Sequence, residues 1–272
     1  HCGIMTAAPN MLLFRSGDTG FYDLLADGGT RHFAGHRLGC WINSVPANGL
    51  VMVPEASTGC VCLYAILTTV VLEPREPRNP WAISSSVGPT IPVESLKLNL
   101  GAPGDRRDAR GNLWLTNLRP KPYKETSLDI KLDVETTFLD RGEFTSVNSQ
   151  SNPVAGTDFG WVYTSWARGL SECRIPLLGK DDAPADYTVR LHFADLEQKA
   201  AGERVFDVKL QGATVLKNFD IVAAADGPGK AVVREFPAVR IHDALSIQLV
   251  GKIGRSGKTH MPILNAVEIQ RQ

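Results

Sequence analysis

Neither sign of charge is in excess in this chain: 29 Lys and Arg stand against 29 Asp and Glu in 272 residues. A nucleic-acid binder carries a basic excess or a basic stripe, and neither is present, so a weakly charged or uncharged partner is expected. Long hydrophobic runs are missing too. The most apolar stretch, residues 63–72, is broken by Thr68 and Thr69 and falls far short of the roughly 20 residues of a membrane-spanning helix. Helical periodicity is nearly absent. No Gly-x-Ser-x-Gly, His-Glu-x-x-His or phosphate-cradling glycine motif occurs. With 29 acidic residues, a carboxylate pair for glycoside hydrolysis could be chosen at will, so none points to that chemistry. The chain starts at His1 with no basic and apolar leader before it, which reads as a processed or excised product.

Alternation is what the sequence does have. Hydrophobic residues make up 43 %, enough for a core. Leu96, Leu98 and Leu100 alternate with Lys97 and Asn99, and Leu128, Ile130, Leu132 and Val134 with Asp129, Lys131 and Asp133. Tyr187, Val189, Leu191 and Phe193 alternate with Thr188, Arg190 and His192. The same pattern returns in Phe206, Val208 and Leu210 and in Leu245, Ile247 and Leu249. Successive strand residues face opposite sides, so each run has one buried and one wet face. Turn residues punctuate the runs at Gly101-Ala-Pro-Gly104, Arg110-Gly111, Gln211-Gly212 and Asp226-Gly-Pro-Gly229. Residues 95–272 are therefore expected to be an all-β sandwich or jelly roll.

Pro74, Pro77, Pro80, Pro89 and Pro92 crowd residues 73–94. Proline lacks the ladder donor, so this stretch reads as a semi-rigid linker, with Trp81 able to pin it to a domain. Residues 1–72 form a short strand-bearing segment, with strands expected over 11–15, 20–24, 49–53 and 62–72. A unit of that length buries a marginal core without staples. Cys2, Cys40, Cys60 and Cys62 could supply them as disulfides in an oxidising, secreted or periplasmic setting, or could hold zinc. His1, His32 and His36 raise copper as a further test, although residues 33–35 do not read as a helix.

Two resemblances sit on particular motifs. Arg37-Leu-Gly-Cys-Trp-Ile-Asn-Ser-Val-Pro-Ala-Asn-Gly-Leu50 and Pro54-Glu-Ala-Ser-Thr-Gly-Cys-Val-Cys62 resemble the closing blade of bacterial pyrroloquinoline-quinone-type β-propellers. That would make the remainder of a propeller a partner. No quinone or other cofactor site carries over, because such sites draw on many blades. Leu98-Asn-Leu-Gly-Ala-Pro-Gly-Asp105, Val162-Tyr-Thr-Ser-Trp-Ala-Arg-Gly169, Tyr187-Thr-Val-Arg-Leu-His-Phe-Ala-Asp195, Gly202-Glu-Arg-Val-Phe-Asp-Val-Lys209 and Pro262-Ile-Leu-Asn-Ala-Val-Glu-Ile269 resemble, in order, the malectin-like carbohydrate-binding modules. This resemblance implies a jelly-roll sandwich whose loops at one end bind a glycan. One departure is plain. Where malectin proper carries a Tyr-Phe pair, this chain has Leu196-Glu-Gln-Lys-Ala-Ala-Gly202, and residues 253–261 show no equivalent of its acidic sugar ligand.

A sugar site stacks a ring on a pyranose face and hydrogen-bonds the hydroxyls. Trp161, Tyr163 and Trp166 lie within six residues, beside Arg168, and Trp161 and Tyr163 would share one face of an extended strand. Each ring could equally be core. Trp114 reads as a structural plug or a further contact, and Arg168 as a polar clamp or an ordinary ion pair. Asp105 and Asp108 could belong to a calcium loop or, more simply, to a solvated turn. The expectation is a non-catalytic, secreted or periplasmic carbohydrate-binding module with no metal and no cofactor. The alternatives are a structural sandwich without a sugar site and an accessory part of a propeller enzyme.

Overall fold

A computed structural model describes residues 3–16, 18–27, 29–33, 38–39, 41–55, 68–74, 81–82, 91–117, 132–198, 200–254, 257 and 259–272. The chain divides into two compact units, residues 1–84 with 121–127, and residues 85–120 with 128–272. Cys2, Cys40, Cys60 and Cys62, His1 and His36, and the side chains of His32 and Trp81 lie outside the described residues.

In the first unit, β1 (Thr6–Ala8), β2 (Met11–Ser16), β3 (Asp18–Asp23) and β4 (Thr30–Phe33) form an antiparallel meander in chain order. β5 (Val45–Ala47), β6 (Leu50–Val53) and β7 (Val70–Leu72) form a second small sheet, joined at Asn48-Gly49. Both turn residues there have positive φ, at 53° and 76°, the conformation a two-residue hairpin requires and Asn-Gly supplies. Val45, Met52 and Val71 stand opposite one another in register and remain exposed. β8 is the pair Trp81–Ala82.

The second unit is a two-sheet sandwich. One sheet contains β9 (Ser95–Leu100), β10 (Asp105–Arg107), β11 (Leu113–Asn117), β14 (Ala185–Phe193), β17 (Val232–Ile241) and β20 (Ala266–Arg271), in the order β17-β14-β20-β9-β11-β10. The other contains β12 (Glu135–Ser146), β13 (Ser165–Pro176), β15 (Val205–Leu210), β16 (Ala213–Asp220) and β18 (Ala244–Gly251), with β19 (Ile263–Leu264) on β13. The order is β12-β13-β18-β15-β16, and every pairing in this sheet is antiparallel. In the first sheet β9 and β11 pair in parallel. The alternating residues meet between the sheets: Leu96, Leu98, Leu100, Tyr187, Val189, Leu191, Phe193, Phe206, Val208, Leu245 and Ile247 all belong to one buried core. Phe193, Phe206 and Phe219 pack ring on ring at 4.9–6.2 Å, in the tilted and edge-on arrangements that the ring quadrupole favours. Cys173 is a free thiol in this core, and burial pushes its pKa up to about 12.

Two local expectations need correction. Residues 132–134 are not strand; β12 begins only at Glu135, and residues 118–131 lie outside the described residues. Alternation alone does not make a strand where no ladder partner exists for the backbone. Trp161 and Tyr163 do not share a strand face, because residues 160–164 form a short 3₁₀ turn, Gly160–Thr164, closed by Val162 N–H donating to Phe159 O at 2.9 Å.

Candidate functional site

The inner faces of β9, β11, β14 and β20 belong to the core, so their intervening residues point outward, away from the other sheet. Among them are Lys97, Trp114, His192, Ala266 and Glu268. This outer face is not bare. The segment 147–164 between β12 and β13 lies across it, and Val154, Val162 and Tyr163 bury Trp114, Ala194 and Ala266 in a second, smaller cluster. Asn265 pins the arrangement. Its buried side-chain amide donates to Tyr163 O and to Ser165 O, both at 3.0 Å, while its oxygen accepts from Ala194 N–H at 2.8 Å. One side chain thus joins the end of the 3₁₀ turn to the end of β14.

Beneath the cover runs a polar chain. Tyr163 Oη lies 2.8 Å from His192 Nδ1, and His192 Nε2 stands 2.9 Å from Glu268 Oε1. A carboxylate can only accept, so the imidazole proton belongs on Nε2 and the phenol donates to Nδ1. Lys97 donates to the other Glu268 oxygen and holds its ammonium 5.0 Å from the Trp114 ring centre. Burial acts to raise the Glu268 pKa, but the hydrogen bonds from His192 and Lys97 outweigh it and hold the value at about 2. Burial, reinforced by the charge of Glu268, drives the Tyr163 phenol upward, so it stays protonated. Trp114 closes the group, edge-on to His192 at 5.4 Å and to Trp161 at 6.1 Å.

Asp105 and Asp108 are buried, not the solvated turn expected from their sequence, because protein donors occupy their oxygens. Asp105 accepts from Thr116 N–H at 2.8 Å. Asp108 accepts from the N–H groups of Arg110 and Asn112 and from the Asn112 amide and Trp114 Nε1. Burial would raise the Asp108 pKa, yet these donors hold it below the ordinary carboxylate range. Among the described residues, no group of three or more His, Cys, Asp or Glu is placed to hold a metal.

The residues singled out from sequence therefore separate. Trp166 is 3 % exposed and lies in the sandwich core, not beside Tyr163. Tyr163 and Trp114, each 2 % exposed, lie in the smaller cluster and act from below. Trp161 is half-buried on top of it, with the Arg106 guanidinium 4.4 Å from its ring centre. Burial lowers the Arg106 pKa to about 10. Next to Trp161, Phe159 is also half-buried and receives Arg110 at 5.5 Å. Arg168 pairs with Glu143 at 2.6 Å and lies 3.9 Å from Glu197.

A second polar knot secures the loop after β14. Arg204 is buried, stands 2.8 Å from Asp195, pairs with Glu197 and donates to Met261 O at 2.5 Å. The Asp195 carboxylate also accepts the N–H groups of Glu197 and Gln198. Sequence reading did not single out His192, Glu268, Asn265 or Arg204. A buried-face polar residue opposite an apolar alternation, as in His192, is the one signal that could have drawn attention to them.

A buried sandwich with its loops knotted at one end by Asn265 and Arg204 is the architecture on which family comparison bears. Residues 175–267 match the malectin domain. The match runs from the end of β13 into β20. A probable receptor-like protein kinase of Arabidopsis thaliana is 35 % identical over 192 residues, which is 65 % of this chain and 21 % of the kinase. The chain thus spans about a fifth of that relative's length. The extracellular domain of ANXUR2 from Arabidopsis thaliana aligns at 15 % identity with a TM-score of 0.49, covering 65 % of this chain and 48 % of that one. A calcium-binding mutant of Bacteroides uniformis beta-glucuronidase 2 aligns at 13 % identity with a TM-score of 0.50, over 93 % of this chain and 27 % of that one. The propeller-blade resemblance of residues 1–72 gains no support from these comparisons. No helix among the described residues is long and apolar enough to cross a membrane.

Proposed function

We propose that the malectin-like sandwich is a non-catalytic, extracellular glycan-binding module with Trp161 as its stacking ring. The observation that carries this reading is the contrast among the three tryptophans near the site. Trp114 and Trp166 are buried, whereas Trp161 is only half-buried, on a segment pinned from below by Asn265, Tyr163 and Trp114. A pre-organised aromatic ring is the element a pyranose face needs, because little ordering remains to be done on binding. Tyr163, Trp114 and Trp166 then act as positioning residues rather than contacts. Arg168, engaged with Glu143 and lying near Glu197, steadies the neighbouring loop. The malectin match and the receptor-like relatives support the glycan and extracellular parts of the reading. The division into residues 1–72, a linker over 73–94 and a sandwich over 95–272 belongs to the same proposal.

The test is a screen of the whole chain against a panel of neutral and acidic oligosaccharides, followed by titration of a binder against Trp161→Ala. Loss of an anchoring ring is expected to weaken binding by more than about tenfold, with the thermal midpoint nearly unchanged. An unaltered affinity moves the site away from segment 147–164. A second reading, a structural sandwich without a sugar site, is favoured by the loop after β14, which presents no ring and whose Asp195 and Glu197 are taken up by Arg204. Failure of the wild type to bind any member of the panel decides for it.

A further inference from the structure

We propose that the outer face of the sheet β5-β6-β7 is an interface on which a second copy of this chain packs, the same face against the same face. The sequence of these strands sets the problem. Leu50–Val53 is an unbroken apolar run, and so is Val70–Leu72. A run without alternation suits a strand covered on both sides. The fold covers one side. Val51 and Leu72 stand opposite one another, are half-buried, and share their face with the buried Val53. On the other face Val45, Met52 and Val71 form a row across the three strands, and Ala47 stands opposite Leu50 beside it. All five are exposed, and none carries a charge or a polar side-chain group.

The apolar surface continues past the edge of β5. Asn43 donates to Ile4 O, and Thr6 Oγ1 lies 2.9 Å from Ser44 Oγ, so the chain entering β1 runs beside the chain entering β5. Ile4, Met5, Trp41 and Ile42 are exposed there, Trp41 to 86 %. At their exposed fractions, these four residues and the sheet face amount to roughly 800 Å² of apolar surface. The largest apolar patch of a monomer is about 300–600 Å², and a stable complex takes about 800 Å² from each partner. The area matches one half of an interface. The interior of the first unit points the same way. Among its described residues, the buried hydrophobic side chains are Leu13, Leu38 and Val53, a smaller apolar set than the exposed one. A small unit with so little inside is marginal until more of its surface is removed from water.

The composition of the face favours its own copy as the occupant. A twofold contact sets each patch against itself. A charged surface resists this by like-charge repulsion, and an aliphatic one does not. Met52 sits on the central strand, between Val45 and Val71, so a twofold axis near Met52 brings the rows of both copies together. Sheets stack face to face at about 10 Å with their side chains interleaved, and the unbranched thioether of Met52 adapts to the gaps that branched neighbours leave. The contact uses only the first unit, so it stands apart from the glycan reading and from its test.

Sedimentation equilibrium on the whole chain tests it. At about 10 μM the wild type is expected at twice the chain mass of 29.6 kDa, since an interface of standard size holds at micromolar concentration or below. Met52→Lys and Met52→Glu each place a charge at the centre and are expected to weaken the dimer at least about tenfold. Mixing the two variants is expected to restore a dimer, because the contact brings residue 52 of each copy near the other. Val250→Lys, at an exposed position on β18 of the sandwich, is expected to leave the dimer unchanged. Far-ultraviolet circular dichroism establishes that each variant is folded. A wild type that stays monomeric up to about 100 μM, a dimer that both Met52 variants leave intact, or a mixture of the two that stays monomeric overturns the proposal.

Discussion

The two faces of one sheet follow different rules. Along β14, Tyr187, Val189, Leu191 and Phe193 turn inward to an apolar core, and His192 turns outward into a covered pocket of hydrogen-bonded rings. The strand is the same and the residues alternate, yet the first face is held by area removed from water and the second by matched polar tips. An apolar core tolerates exchange of one hydrocarbon for another of similar volume. A buried polar chain does not tolerate loss of one member, because the partner left behind keeps its desolvation cost. The inner face makes the fold, and the outer face makes a rigid platform for Trp161.

Four measurements sharpen or break this contrast. Phe193→Ala removes a fully buried ring touching Phe206 and Phe219, and a loss of about 3–5 kcal/mol is expected in urea denaturation. Phe193→Leu should retain most of that stability. If the alanine variant costs no more than the leucine one, the inner face is not the close-packed core described. Asn265→Ala orphans the buried carbonyls of Tyr163 and Ser165 and the N–H of Ala194, and a loss of about 3 kcal/mol is expected. Because that residue also fixes the covering segment, the glycan affinity proposed above should fall with it.

Glu268 provides a pH signature. Its folded pKa lies near 2 against an ordinary value of 4.5, so its stabilisation is present above the higher value and lost as pH falls toward the lower. At about 1.4 kcal/mol per unit, and allowing for partial exposure, the contribution at neutral pH is about 2–3 kcal/mol. Unfolding free energies measured across that acid range should drop more steeply in the wild type than in Glu268→Gln. Parallel profiles would mean that His192 and Lys97 do not hold the carboxylate charged. The smallest effect is expected from Tyr163→Phe, which removes one donor to His192 and keeps the ring. A loss of about 1 kcal/mol is expected, and a neutral result would show that His192 draws its support from Glu268 alone.

The all-β class, β9, β14, β15 and β18 and the sandwich core were legible in the sequence. A period of two is a local property that survives folding, and the apolar residues at 96, 98, 100, 187, 189, 191 and 193 have a single consistent destination. The turns at Gly101, Gly111 and Gly212 were legible for a similar reason: all three have positive φ, between 74° and 82°, which a residue without Cβ adopts at little cost. The site was legible only as a neighbourhood. Trp161, Tyr163 and Trp166 occupy six residues, but a 3₁₀ turn over the first two and a strand through the third send them to three different environments. Nothing local distinguishes these rings. What separates them is which surface lies opposite each one, and Asn265, about a hundred residues away in the chain, sets that surface. Likewise Asp105 and Asp108 read as a wet turn because their donors, Thr116, Asn112 and Trp114, are brought in by strand pairing. The sequence by itself determined which face of each strand would be apolar. Only the tertiary structure decided which polar groups would meet, because a hydrogen bond depends on the position of both partners and alternation specifies the side of only one.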